Sequence, residues 1–159
     1  MAAPSFVVRD AHPGDRDLIV EFNLRLATET EGKSLDPVVL ARGVTRALTE
    51  PDRLRYWVVE PEGVGPVVGQ CAVSREWSDW RDGWIWWFQS VYIHPDWRRL
   101  GLFRALHRHV RELALASGDV IGLRLYVETE NHRAQKTYAA LGMNPGGYHV
   151  LEEFWSARS

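Results

Sequence analysis

The chain has one cysteine, no long apolar run and no excess of charge of either sign, and each shortage removes a class of function. Cys71 stands alone, so no intrachain disulfide can form; this suits a reducing compartment and excludes a disulfide-stapled scaffold. No uninterrupted apolar stretch approaches the roughly 18 residues that a membrane span needs. Residues Met1 to Ser5 offer neither a basic nor an apolar leader segment, so no secretory signal is expected. A formal net charge of −2 gives no electrostatic footprint for nucleic acid. The histidines show no ligand spacing such as H-E-x-x-H, and His107 and His109 do not share a helix face, so no metal is expected. What remains is a cytoplasmic enzyme or binding domain with no nucleic-acid or membrane partner.

Tryptophan, in contrast, is abundant. Five of the eight, Trp77, Trp80, Trp84, Trp86 and Trp87, fall in one central stretch. Tryptophan joins a large apolar area to one N–H that wants a partner, so such a cluster builds cores, interfaces or pocket walls. Core and dimer packing is the expectation for most of them, and a pocket wall for one or two. The 159 residues, 45% apolar and 25% charged, suffice to bury one core. No repeat, low-complexity tract or linker divides them, so a single domain over 1–159 is expected.

Periodicity places the elements. Phe6 to Arg9 reads as a short strand, and Leu18, Ile19, Phe22 and Leu26 recur at helical spacing behind a capping Asp15. A polar break is expected at Thr28 to Lys33. Asp36-Pro37 then reads as an N-cap with proline at the first helical position, and Glu50-Pro51-Asp52 closes that helix. Tyr56 to Glu60 and Val67 to Val73 are β-rich runs joined by a Pro/Gly loop. After a turn near Ser78 to Gly83, Trp84 to Ile93 is apolar on both faces and is expected to be a central strand. Leu102, Phe103, Leu106, Val110, Leu113 and Ala114 share one face of the clearest helix. Leu123 to Val127 reads as a strand, Asn131 to Leu141 as a helix stopped by Gly142, and Tyr148 to Trp155 as a last strand.

The segment from Val91 to Phe103 concentrates the chemistry. A buried strand passes through a basic turn to Gly101 and then to the start of an amphipathic helix. A helix N-terminus has unpaired N–H groups and a dipole that favours an anion. Glycine lets backbone approach a phosphate, and Arg98 and Arg99 add positive charge. The turn has neither the G-x-x-x-x-G-K-S/T of a P-loop nor the three glycines of a dinucleotide fingerprint. By itself it is a generic anion site.

Arg98-Arg99-Leu100-Gly101-Leu102-Phe103 resembles the Q/R-x-x-G-x-G/A motif of the GNAT family of N-acetyltransferases. Asn131, Ala134, Tyr138 and Gly142 match the spacing of the family's second motif, N-x-x-A-x-x-x-Y-x-x-x-G-F. The resemblance covers nearly the whole chain. It implies an α/β (α+β) GNAT fold: a central mixed, mostly antiparallel sheet flanked by helices, in the order β-α-α-β-β-β-α-β-α-β. It implies acetyl-CoA as co-substrate, with the amides of Arg99, Leu100, Gly101, Leu102 and Phe103 around its pyrophosphate. Val91 and Ile93, on the edge opened by a bulge in the central strand, would pair through their backbone with the pantetheine arm. The N–H near Val91 would polarise the thioester carbonyl. Asn131 would contact the cofactor arm, and Tyr138 would be the general acid for the leaving thiolate. The last position of the first motif is normally small, and here it is Phe103.

Many family members carry a glutamate on the central strand as general base. The corresponding stretch here, Phe88 to Tyr92, holds no carboxylate, and Gln89 and Ser90 can only relay through water. Glu29, Glu31, Glu128, Glu130 and His94 are candidates, and an acceptor that arrives deprotonated needs no base. Glu29, Glu31 and the tryptophans suit a cationic or aromatic small-molecule amine. His107, Arg108, Arg133 and Lys136 are candidates for the 3′-phosphate of CoA. Cys71, among apolar neighbours, reads as packing. Family members often pair through late strands, and Phe154 and Trp155 offer apolar surface for a homodimer. The leading expectation is therefore acetyl transfer to an amine by direct attack in a ternary complex. The alternatives are a non-catalytic acyl-CoA-binding module and a binding domain independent of CoA.

Overall fold

The computed structural model of the chain describes residues 4–63 and 65–155. They divide between Leu125 and Tyr126 into two compact units.

The first unit is built on a five-stranded sheet whose spatial order is the chain order: β1 (Phe6–Asp10), β2 (Arg55–Pro61), β3 (Gly69–Ser78), β4 (Gly83–Ile93) and β5 (Val120–Leu125). β1 to β4 are antiparallel neighbours, and β5 lies parallel to β4. A parallel pair needs a crossover, which α3 (Leu102–Ser117) supplies. Two more helices, α1 (Arg16–Glu31) and α2 (Pro37–Thr49), lie between β1 and β2 in sequence. No described helix is long and apolar enough to cross a membrane.

The alternation of β2 explains why the sheet is covered on both faces. Tyr56 and Val58 join Ile19 and Phe22 of α1 and Val44 and Ala47 of α2 in one core. Trp57 and Val59 point the other way, to Leu102, Leu106 and Val110 of α3. Side chains alternate along a strand, so one buried on both faces reads as a continuous apolar run. Trp57, Val58 and Val59 are fully buried, and each such side chain contributes about 1.5–3 kcal/mol.

Helix ends follow their local chemistry. Asp36 accepts hydrogen bonds from the Val38 and Val39 amides at 2.8 and 3.2 Å, with Pro37 as the first helical residue. The break expected over Thr28 to Lys33 begins late: α1 runs on to Glu31 and stops only at Gly32, whose φ is 60°. The hydroxyls of Thr28 and Thr30 bond back to the carbonyls of Leu24 and Leu26, which keeps these polar residues helical. The stop needs a left-handed residue, which glycine provides without strain.

Two strands are displaced from their sequence expectations. β3 runs further than Val73, forming a hairpin in which Arg75 faces Trp86 and Trp77 faces Trp84. The tryptophan cluster is therefore only partly core. Trp86 packs with the α3-side core, Trp77 meets Trp84 edge-on at 5.0 Å, and Trp80 is 86% exposed. β5 starts and ends before the expected Leu123 to Val127.

The second unit contains α4 (His132–Ala140), whose N-cap Asn131 accepts the Ala134 amide at 3.1 Å. Gly142, at φ 88°, follows its end. The strand expected over Tyr148 to Trp155 is not formed, so the observed order of strands and α-helices ends at α4. A β-rich sequence becomes a strand only beside a neighbour that completes its ladder. Among the described residues, 148–155 have no ladder, and Leu151, Phe154 and Trp155 are largely exposed.

Candidate functional site

Strand β4 changes surroundings halfway along. From Trp84 to Phe88 it pairs with β3 on one side and β5 on the other. Past Phe88 the pairing with β5 stops, so, among the described residues, 89–93 pair with β3 alone. An unpaired strand edge is a ready template for another extended chain. Val91 and Ile93 lie on this open stretch and are half-buried.

A bulge shapes the open half. Gln70 faces Tyr92 while Ala72 faces Gln89, so Ser90 and Val91 together oppose Cys71. Ser90 adopts φ 50°, a left-handed conformation that costs a non-glycine residue about 1–2 kcal/mol. Fully buried Gln70 donates from Nε2 to the Ser90 carbonyl at 3.0 Å and supports that conformation. Sequence reasoning does not single out Gln70. The one available signal was an amide side chain inside an apolar strand, because a buried polar group must find a partner.

The turn after β4 then curls tightly. His94 accepts the Asp96 amide on Nδ1 at 3.3 Å, capping a short 3-10 turn at Pro95–Trp97 and serving as a structural residue. Arg98 is extended, Arg99 has φ 66° and Gly101 has φ 85°. α3 begins at Leu102 with no side-chain cap. Left-handed residues on either side of Leu100 suit a concavity of N–H donors, to which the first amides of α3 would add theirs with the positive end of the helix dipole. The bulk of Phe103 does not disturb this start. Its ring lies edge-on to Phe88 at 6.3 Å and 6.2 Å from His107. His107 is itself buried and stacked on Phe88 at 5.7 Å. Burial, with Arg111 nearby, lowers its pKa and favours the neutral ring, so it adds no positive charge for a phosphate.

Arg98 does not stand free beside this concavity. Its terminal nitrogen donates to Glu29 Oε2 at 2.7 Å, its Nε donates to the Ile93 carbonyl at 2.9 Å, and its guanidinium lies 5.5 Å from the centre of the Tyr92 ring. Glu29 Oε1 accepts the Tyr92 hydroxyl at 2.9 Å. Hydrogen bonding from Arg98 holds the Glu29 carboxyl below the usual range, while burial and the Glu29 hydrogen bond push the Tyr92 phenol up. A carboxylate held this way is a weaker proton acceptor, and its charge is already paired with Arg98. Ile93 also has one backbone group already engaged. Glu31 is exposed beside Lys33 at 3.2 Å, and Gln89 donates to Ser74 Oγ at 3.3 Å. Cys71 is fully buried, and burial pushes its thiol pKa far up, which makes it inert as a nucleophile.

Val91, Ile93 and Arg98 to Phe103 thus lie along one continuous stretch of the first unit. Asn131 and Tyr138 belong to the second. There, Tyr138 is half-buried on α4, and burial raises its phenol pKa so that it keeps its proton at neutral pH. Glu128 and Glu130 are exposed just before that helix.

A sequence model of the acetyltransferase (GNAT) family matches residues 20–143. A Bacillus subtilis (strain 168) protein, named as a candidate ribosomal protein bS18-alanine N-acetyltransferase, is 33% identical over 100 residues, covering 63% of this chain and 60% of its own. The chain therefore spans less than two thirds of that curated relative. A crystal structure of a possible acetyltransferase from Clostridium difficile 630 superimposes with a TM-score of 0.87 at 38% identity, covering 96% of this chain and 99% of that one. An aminoglycoside N-acetyltransferase in complex with CoA gives a TM-score of 0.74 at 15% identity over 96% and 97% of the two chains, a likeness of fold alone.

Proposed function

Because the chain belongs to the acetyltransferase (GNAT) family, we propose that it transfers the acetyl group of acetyl-CoA to an amine by direct attack in a ternary complex. The observation that carries this reading is the half-open β4 running into an uncapped helix start. The open edge at Val91 and Ile93 suits the amide-bearing pantetheine arm. The concavity of Arg99, Leu100, Gly101, Leu102 and Phe103 suits the pyrophosphate. Arg98 serves that site through the turn it holds, and Asn131 is the proposed contact for the cofactor arm. The family model spans both compact units, which supports one functional domain over 1–159, and the buried cysteine suits a reducing, cytoplasmic setting.

In the proposed reaction the amine, after losing its proton, attacks the thioester carbon. The carbonyl oxygen gains charge and is stabilised by the backbone N–H near Val91. A C–N bond forms, the C–S bond breaks, the departing thiolate takes the phenolic proton of Tyr138, and the proton that the nitrogen sheds on becoming an amide returns through solvent to the Tyr138 phenolate. Burial keeps the phenolic proton in place at neutral pH. Holding both substrates together supplies much of the acceleration. The acceptor class we propose is a small-molecule amine; the α-amine of a protein, as named for the Bacillus subtilis relative, is the competing acceptor. We also propose a homodimer, because exposed Leu151, Phe154 and Trp155 form a β-rich run that an identical run can pair with.

Release of free thiol from acetyl-CoA, followed with polyamines, aminoglycosides, amino acids and an alanine-ended peptide, tests the reading. Turnover is expected with a small amine, and Tyr138→Phe is expected to lower kcat about 100-fold with acetyl-CoA affinity retained. Binding without turnover on any amine would make the chain a non-catalytic acyl-CoA module. Absence of binding would overturn the cofactor assignment.

A further inference from the structure

We infer that Glu29 is a positioning residue for the acetyl-CoA turn, acting through Arg98; the inference rests on the function proposed above. Arg98 is gripped from three directions: by Glu29 of α1, by the Ile93 carbonyl at the end of β4, and by the face of the Tyr92 ring. A guanidinium is planar with donors in fixed directions, so two hydrogen bonds to different elements fix its plane as well as its place. Tyr92 holds the other oxygen of Glu29, so the carboxylate cannot rotate away without breaking a second bond.

The residue that follows Arg98 shows what this grip is for. Arg99 sits at φ 66°, and a strained backbone of this kind persists only where its surroundings over-determine it. Arg98 anchors the chain immediately before that residue, and Gly101 and α3 hold it immediately after. Without the Glu29 charge, Arg98 loses this ion-pair partner and the Tyr92 hydroxyl loses its charged acceptor. Once the guanidinium turns to solvent, the Ile93 carbonyl loses its donor and the 99–101 concavity loses its fixed start.

The exposure of the pair separates this role from a simple stabilising one. The side chains of Arg98 and Glu29 are 45% and 37% exposed, and ion pairs of that kind add little to global stability. What the pair fixes is local geometry. It also neutralises Arg98, leaving backbone amides and Arg99 to attract the pyrophosphate.

Calorimetric titration of acetyl-CoA into the full chain, with thermal melts alongside, tests this in wild type, Glu29→Gln, Glu29→Asp, Arg98→Met and the Glu29→Gln/Arg98→Met double variant. Glu29→Gln is expected to weaken acetyl-CoA binding about 10-fold, roughly 1.4 kcal/mol, with Tm nearly unchanged and kcat at saturating acetyl-CoA retained. Glu29→Asp is expected to restore part of the affinity. The double variant is expected to bind no worse than Arg98→Met, because the two residues act as one unit. Wild-type affinity in Glu29→Gln, losses that multiply in the double variant, or a large fall in Tm would overturn the positioning role. Failure of the wild type itself to bind acetyl-CoA would instead overturn the functional reading beneath it.

Discussion

The two halves of β4 share one strand and one neighbour yet do different work. The first half, Trp84 to Phe88, has ladders on both sides, and its Trp86 and Phe88 pack into the α3-side core. The second half has lost the β5 ladder, carries a left-handed Ser90 and leans on a single buried amide from Gln70. The closed half has its backbone groups satisfied within the sheet, so its sequence is set by packing. In the proposed function the open half keeps an edge for acetyl-CoA, and its sequence is set by the side chains that hold that edge in shape. A binding strand is in this sense a structural strand deprived of one neighbour and propped from the other side.

Substitutions in the two halves should therefore separate stability from activity. The largest effect belongs to the closed half. Ile85→Ala, at a site only 4% exposed, is expected to cost about 3 kcal/mol of stability, read as a shifted urea midpoint. Acetyl-CoA affinity of the folded protein should stay within about threefold of wild type. A large affinity loss there would erase the distinction between the halves.

Gln70→Leu reverses the pattern with a smaller effect. It removes the donor to the Ser90 carbonyl, but also a buried Oε1 that has no protein partner among the described residues. The two changes oppose each other, so stability should fall by less than about 1 kcal/mol. Steady-state kinetics should show kcat/KM falling about 10-fold as the bulge relaxes, roughly 1.4 kcal/mol. Unchanged kcat/KM would mean that the bulge holds without its amide prop.

Ser90→Gly should have the smallest effect. Glycine adopts φ 50° without the side-chain penalty, although its looser unfolded chain takes back part of the gain. The Tm should move by no more than a few degrees and turnover should persist, whereas Ser90→Val should lose both. If valine were tolerated equally, the left-handed bulge would not be needed for function.

What the sequence disclosed was local. The Asp36-Pro37 cap, the amphipathic face of α3 and the Arg98–Phe103 turn each obey rules that reach only a few residues, and each could be read directly. The pair of Glu29 and Arg98 joins residues 69 apart in sequence, and no periodicity links them. The threonines near the end of α1 looked like a break because their hydroxyl bonds to the preceding turn are invisible in composition. Tyr148 to Trp155 has the composition of a strand, but a ladder also needs a partner, and residue types do not supply one. The bulge was expected from family resemblance; that Gln70 supports it emerged only when β3 and β4 were set side by side.

The lone cysteine gives the protein an internal reporter. Cys71 is the only thiol in the chain and is fully buried beneath the bulge region. The folded protein should be silent to thiol-reactive dyes, so colour developed during an assay counts liberated coenzyme and nothing else. The same silence makes labelling of Cys71 a direct readout of sheet opening. Bound acetyl-CoA should slow that labelling in proportion to how firmly it secures the strand beside it.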